Sequence, residues 1–79
     1  MRVLASVVYV LEKRMKEGSR VTALRYCTCG TLVSTQRAAE SMVRENELPL
    51  TWNATARGKW VAVVNPELSY IITEEEVFD

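Results

Sequence analysis

Residues 20–34 read Arg20-Val21-Thr22-Ala23-Leu24-Arg25-Tyr26-Cys27-Thr28-Cys29-Gly30-Thr31-Leu32-Val33-Ser34, and the fold turns on this stretch. Over 20–26 polar and apolar residues alternate, with Val21, Ala23 and Arg25 on one side and Thr22, Leu24 and Tyr26 on the other. Alternation of period two, rich in β-branched and aromatic residues, marks a strand. Cys-Thr-Cys-Gly then offers a turn, and Thr31-Leu32-Val33-Ser34 is expected to pair back as the second arm of a hairpin.

Upstream, residues 2–17 support two readings. As a helix, Leu4, Val7, Val8, Leu11 and Met15 share a face, Glu12 pairs with Lys16, and Gly18 ends the element. As strand, the four valines and the tyrosine within 3–10 are strong β formers, and Lys-Glu-Gly-Ser is a turn. The strand reading is favoured.

Downstream, Thr35-Gln-Arg-Ala-Ala-Glu-Ser-Met-Val-Arg-Glu-Asn46 predicts a helix over 35–46. Ser34 or Thr35 is its expected cap, since either hydroxyl accepts a free first-turn N–H. Ala39, Met42 and Val43 fall on one face with Ala38 alongside, opposite Arg37, Glu40, Arg44 and Glu45. Asn46 suits the left-handed end of a helix, and Pro49 prevents continuation. Three strands follow: Thr51–Ala54, Lys59–Val64 and Ser69–Thr73, punctuated by Ala56-Arg57-Gly58 and by Asn65-Pro66-Glu67. An antiparallel meander is the simplest arrangement.

Seventy-nine residues make one domain. So short a chain buries only roughly 60% of the surface its unfolded form exposes, so its stability margin is thin. Hydrophobic residues at 48% and charged residues at 25% place it among globular chains, not disordered ones. Net charge is zero, which argues against a dedicated polyanion binder. The charge is nevertheless segregated. Residues 1–44 hold eight basic and three acidic residues, and residues 45–79 hold two basic and seven acidic. The apolar run over 3–11 is too short to span a bilayer or serve as a signal peptide, so the expectation is a cytoplasmic protein with no membrane role.

The chemistry of known sites is sparse. Without histidine there is no Ser-His-Asp or Cys-His system and no ordinary base poised near neutral pH. No glycine-rich phosphate loop occurs. Cys27 and Cys29 offer two thiolates where a structural zinc needs four ligands. They read as reduced thiols at a turn, with a redox or shared-metal role as the alternative. Glu74-Glu75-Glu76 with Asp79 reads as a solvated end. The expectation is therefore no catalytic residue, no cofactor and no metal: not an enzyme.

Binding chemistry is concentrated in one proposed hairpin, where Trp52, Arg57, Lys59 and Trp60 lie together. Aromatic residues and arginine dominate interface hot spots, although small domains also spend tryptophan on their cores. Two cations at a hairpin tip suit phosphate or an acidic partner.

Two resemblances attach to these residues. The run Arg20–Arg25, Cys-Thr-Cys-Gly30, Thr31–Ser34, Thr-Gln-Arg-Ala-Ala39, Glu47-Leu48 and Tyr70-Ile-Ile-Thr73 resembles a family of small bacterial and phage α+β domains of unknown function. The likeness implies a strand hairpin, an alanine-containing helix and further strands, but no activity. The cysteine turn and the paired tryptophans are not features of that family. The chain is also similar to excisionase-like winged helix-turn-helix proteins. That likeness makes Val21–Cys27 the first helix, Val33–Asn46 the recognition helix and Trp52–Val64 the wing. It implies Thr35, Gln36 and Arg37 as base readers, with Arg57 and Lys59 on phosphates. Against it stand poor helix formers in Val21–Cys27, a long turn, zero net charge, and Glu40, Glu45 and Glu47.

The expected fold is thus a small α+β domain: a mostly antiparallel sheet covered on one face by helix 35–46. Its expected core is Val7, Val21, Ala39, Met42, Val43, Leu48, Val61, Val63 and Ile71. The expected function is a non-enzymatic interaction module with a protein partner, such as a phage or mobile-element protein engaging a host protein. Nucleic-acid binding by a winged helix is the runner-up, and a homodimer through an open edge strand is the third reading.

Overall fold

The computed structural model describes residues 4–28 and 30–78. In chain order they form β1 (Leu4–Glu17), β2 (Arg20–Thr28), α1 (Leu32–Glu40), a single 3₁₀ turn (Glu45–Glu47), β3 (Asn53–Ala56), β4 (Lys59–Asn65) and β5 (Leu68–Phe78). The strands make one antiparallel sheet ordered β2-β1-β5-β4-β3, and α1 lies against one face of it. The fold is α+β and mostly sheet.

Strand propensity wins over helical spacing in the first segment. The valine-rich run continues through Lys13 and Met15 as β1, and Glu17 faces Arg20 across a Gly18-Ser19 turn. Gly18 takes φ +61, a left-handed value that glycine reaches without the Cβ clash other residues meet. Asn65 Oδ1 accepts the Glu67 N–H at 2.8 Å, closing the Asn65-Pro66-Glu67 turn that joins β4 to β5.

The segment after β2 departs from expectation. Thr31–Ser34 opens α1 instead of pairing back as a strand. The cap is Thr31, not Ser34 or Thr35. Its hydroxyl accepts the Ser34 N–H at 3.1 Å, and Ser34 Oγ accepts the Thr31 N–H at 3.2 Å. This reciprocal box satisfies two amides and outweighs the β preference of Thr31 and Val33. The helix also stops at Glu40, short of the expected 46. Ser41 Oγ donates to Ala38 O at 2.6 Å, while Met42 and Val43 donate to carbonyls three residues back. These bonds tighten the last turn and end the α-helical ladder.

The two faces of the sheet differ. Leu11, Tyr70 and Ile72 are buried beneath Ala39 of α1, and Tyr9, Tyr26, Leu32, Ala38, Val43, Leu50, Trp52, Trp60, Val64 and Leu68 surround them. The alanines let the helix approach closely. Among the described residues nothing is laid over the other face: the register places Val8, Val10, Glu12, Arg14 and Lys16 of β1 there. Ser69, Ile71, Thr73, Glu75 and Val77 of β5, and Lys59, Val61 and Val63 of β4, lie beside them. Several expected core residues prove wrong for that reason. Val21 and Val63 are exposed at 58% and 67%, both on the uncovered face. Met42 and Leu48 are exposed in the segment after α1. Val7, Val43 and Val61 are half-buried, and Ala39 and Ile71 are buried as expected.

The molecule is a slab of 46 × 27 × 19 Å. It exposes 5769 Å², against about 4,900 Å² for a typical folded monomer of 9.0 kDa. Its radius of gyration is 13.7 Å, against about 11.6 Å for a domain of this length. The long strands β1 and β5 stretch the slab, and the open face adds to the exposed surface.

Candidate functional site

The β3–β4 hairpin does bring Trp52, Arg57, Lys59 and Trp60 into one stretch of chain, but not onto one surface. The β4 pleat sends Trp60, Ala62 and Val64 to the helix side and Lys59, Val61 and Val63 to the open side. Trp60 packs against Tyr9 with ring centroids 6.0 Å apart and planes tilted by 56°. Trp52 is half-buried on the same side, and its indole N–H is buried without a hydrogen-bond partner. Arg57 is exposed in the two-residue turn beside Gly58 (φ +71). A Cβ on Gly58 would meet the Glu74 Cβ at 3.3 Å, and Glu74 donates its N–H to Gly58 O at 2.8 Å. The turn is therefore fastened to β5.

The residues implied by the winged-helix likeness are also dispersed. Val21–Cys27 lies within β2, so the first helix of a helix-turn-helix is not formed there. Thr35 is 1% exposed and donates its hydroxyl to Thr31 O at 3.0 Å, leaving it unable to reach a base edge. Gln36 is half-buried, and only Arg37 of the three is exposed. Cys29, named above with Cys27, lies outside the described residues.

What the structure assembles instead is the uncovered face. Its centre is apolar: Val10 and Ile71 are buried by their strand neighbours, with Val61 half-buried beside them. Toward the rim stand Val21, Val63 and Val77, all large, apolar and exposed. Charged residues are interleaved and partly self-neutralised. Arg14 bonds Glu12 at 3.1 Å, and Arg25 bonds Glu75 at 3.2 Å. Among the described residues, Lys16 and Lys59 make no ion pair on this face. A groove of about 240 Å³ crosses one end of it, bounded by Arg14, Lys16, Val21, Val63 and residues 65–69 where β4 turns into β5. That volume is below the roughly 300–1,000 Å³ of small-molecule sites, but suits one or two side chains of a partner.

On this face the sequence points to Lys59 as a binding residue and assigns Val21, Val61, Val63 and Ile71 to the core, not to a binding surface. The signal was present in Lys59-Trp-Val-Ala-Val-Val64, whose two sides are both largely apolar. Such a strand asks for cover on both faces, and the chain has one helix to give.

Under the other face, the Tyr70 hydroxyl is buried without a hydrogen-bond partner. Burial, then the nearby Glu47 and then Tyr26, hold its pKa above the ordinary 10.0. The group is a buried neutral donor, not a proton carrier near neutral pH. Among the described residues no cluster of three or more His, Cys, Asp or Glu could hold a metal ion, and no helix is long and apolar enough to cross a membrane. No protein-family model, curated protein or solved structure matches the chain.

Proposed function

We propose that the chain is a non-enzymatic interaction module that binds a protein partner through the uncovered face of its sheet. The observation that carries this reading is a single one: an apolar sheet face, with Val21, Val63 and Val77 exposed, carries no second layer among the described residues. A standard interface takes about 800 Å² from each partner. Exposed valines at the rim and half-buried ones inside give a surface whose burial is favourable at about 25 cal/mol per Å². Lys16 and Lys59, which make no ion pair among the described residues, favour a partner whose rim carries carboxylates. On the phage-domain resemblance the partner would be a host protein, and that part rests on the resemblance alone.

The reading relocates the binding residues. Lys59 stays, joined by Val61 and Val63, while Trp52 and Trp60 serve the helix-side core and Arg57 stands apart at the turn. Tagged protein passed through lysate of the source cells, with and without nuclease, tests it. Wild type is expected to retain a stoichiometric protein after nuclease, and Val63→Glu to lose it while keeping the wild-type circular dichroism. Recovery of nuclease-sensitive nucleic acid alone would overturn the reading.

A further inference from the structure

The two edges of the sheet are finished differently. β3 is four residues long, its register slips between Ala54 and Ala56, and it ends at once in the Arg57-Gly58 turn. A short, bulged edge is a poor template for another strand. β2 is nine residues long, contains no proline or lysine, and pairs with β1 without a break from Glu17–Arg20 to Tyr9–Thr28. Residues 20–25 are all exposed, Leu24 at 44%.

Which backbone groups point outward follows from one bond. Lys16 donates its N–H to Glu67 O at 2.7 Å, away from β2. Its cross-strand partner Val21 therefore also turns its N–H and C=O away from β1. Alternation puts the same groups of Ala23 and Arg25 on the outer edge. Among the described residues nothing accepts or donates to them. This is an unblunted edge.

We infer that this edge pairs with β2 of a second copy of the chain, antiparallel about a two-fold axis at Leu24. Leu24 is the midpoint of Arg20–Thr28, so the axis overlaps the two strands over their whole length. It sets Leu24 against Leu24, Thr22 against Tyr26, and Ala23 against Arg25 of the other copy, which exchange their outward N–H and C=O groups. Arg20 falls opposite Thr28, so no arginine meets an arginine. Arg25 is further neutralised by Glu75 of its own chain, and the zero net charge removes long-range repulsion between copies. The even register keeps faces matched, so the dimer is one ten-stranded sheet with its open face continuous across the join. The inference is independent of the partner that occupies that face.

Sedimentation over a hundredfold concentration range tests it. Wild type is expected to dimerise reversibly. Ala23→Pro removes an outward N–H that β1 does not use, so it should weaken the dimer about thirtyfold while the fold persists. Leu24→Lys and Leu24→Glu should each be monomeric alone and associate when mixed, since opposite charges then meet on the axis. A strictly monomeric wild type overturns the inference. So does a dimer that Ala23→Pro and both Leu24 variants leave intact. Val63→Glu should leave dimerisation unchanged, so loss of the protein partner and loss of the dimer are separate results.

Discussion

The two faces of this sheet are built from similar residues and are covered to different extents. On the helix side Leu11 and Ile72 are fully buried, because α1 brings Ala38 and Ala39 down upon them. On the other side Val21 and Val63, no less apolar, remain in water. A single nine-residue helix lies mainly over β1 and β5 of a five-stranded sheet. The difference teaches that apolar residue type alone does not decide burial: on the open face only central residues such as Val10 and Ile71, flanked by neighbouring strands, are buried, while Val21 and Val63 stay exposed without a second layer.

The largest effects should come from breaking the covered face. Leu11→Ala or Ile72→Ala should cost about 3 kcal/mol, within the 2–5 kcal/mol seen for large-to-alanine changes in packed cores. That is a large share of a margin of roughly 4–12 kcal/mol expected at this length. Val63→Ala on the open face should change stability by less than about 0.5 kcal/mol. Urea denaturation of the three variants checks the contrast, and equal losses on the two faces would break it.

Smaller changes sharpen the comparison. Thr31→Ala should cost about 1 kcal/mol by removing the cap that starts the covering helix, and Thr31→Ser should retain most of it. Tyr70→Phe should stabilise by about 1 kcal/mol, because it deletes a buried hydroxyl that has no partner. The pH dependence has a definite sign. Tyr70 has a folded pKa raised above 10.0, so its contribution is fully present below pH 10 and is lost as pH rises through the folded value. Tyr70→Phe should therefore flatten the fall in stability above pH 10, measured by thermal melts from pH 8 to 11. Least of all, Arg25→Ala on the open side should cost less than about 0.5 kcal/mol, since both partners of its ion pair are largely exposed.

The local parts of this fold were legible in the sequence, and the parts that depend on distance were not. Gly18, Gly58 and Asn65-Pro66 marked turns correctly because backbone conformation at those positions is a property of the residue itself. Residues 20–26 alternated as a strand should. Thr31–Ser34 was ambiguous in a physical sense: Thr and Val favour strand, while Thr31 and Ser34 at that spacing also make a capping box, and only one can form. The apolar spacing over 35–46 misses both ends of α1, because the Thr31 cap and the Ser41 to Ala38 bond that bound Leu32–Glu40 are set by local hydrogen bonding and not by periodicity. The candidate site was barely legible. Trp52, Arg57, Lys59 and Trp60 are adjacent in sequence, yet the pleat sends Lys59 and Trp60 to opposite faces. Which of those faces the helix would cover was set by packing across the whole sheet.

The most direct test of the open face is photo-crosslinking in the source cells, with a benzophenone side chain placed at position 63 in one variant and at position 57 in another. The account predicts a discrete adduct of one protein partner from position 63 and none from position 57. An adduct from position 57 with none from position 63 would contradict it, and would move the binding surface back to the hairpin tip.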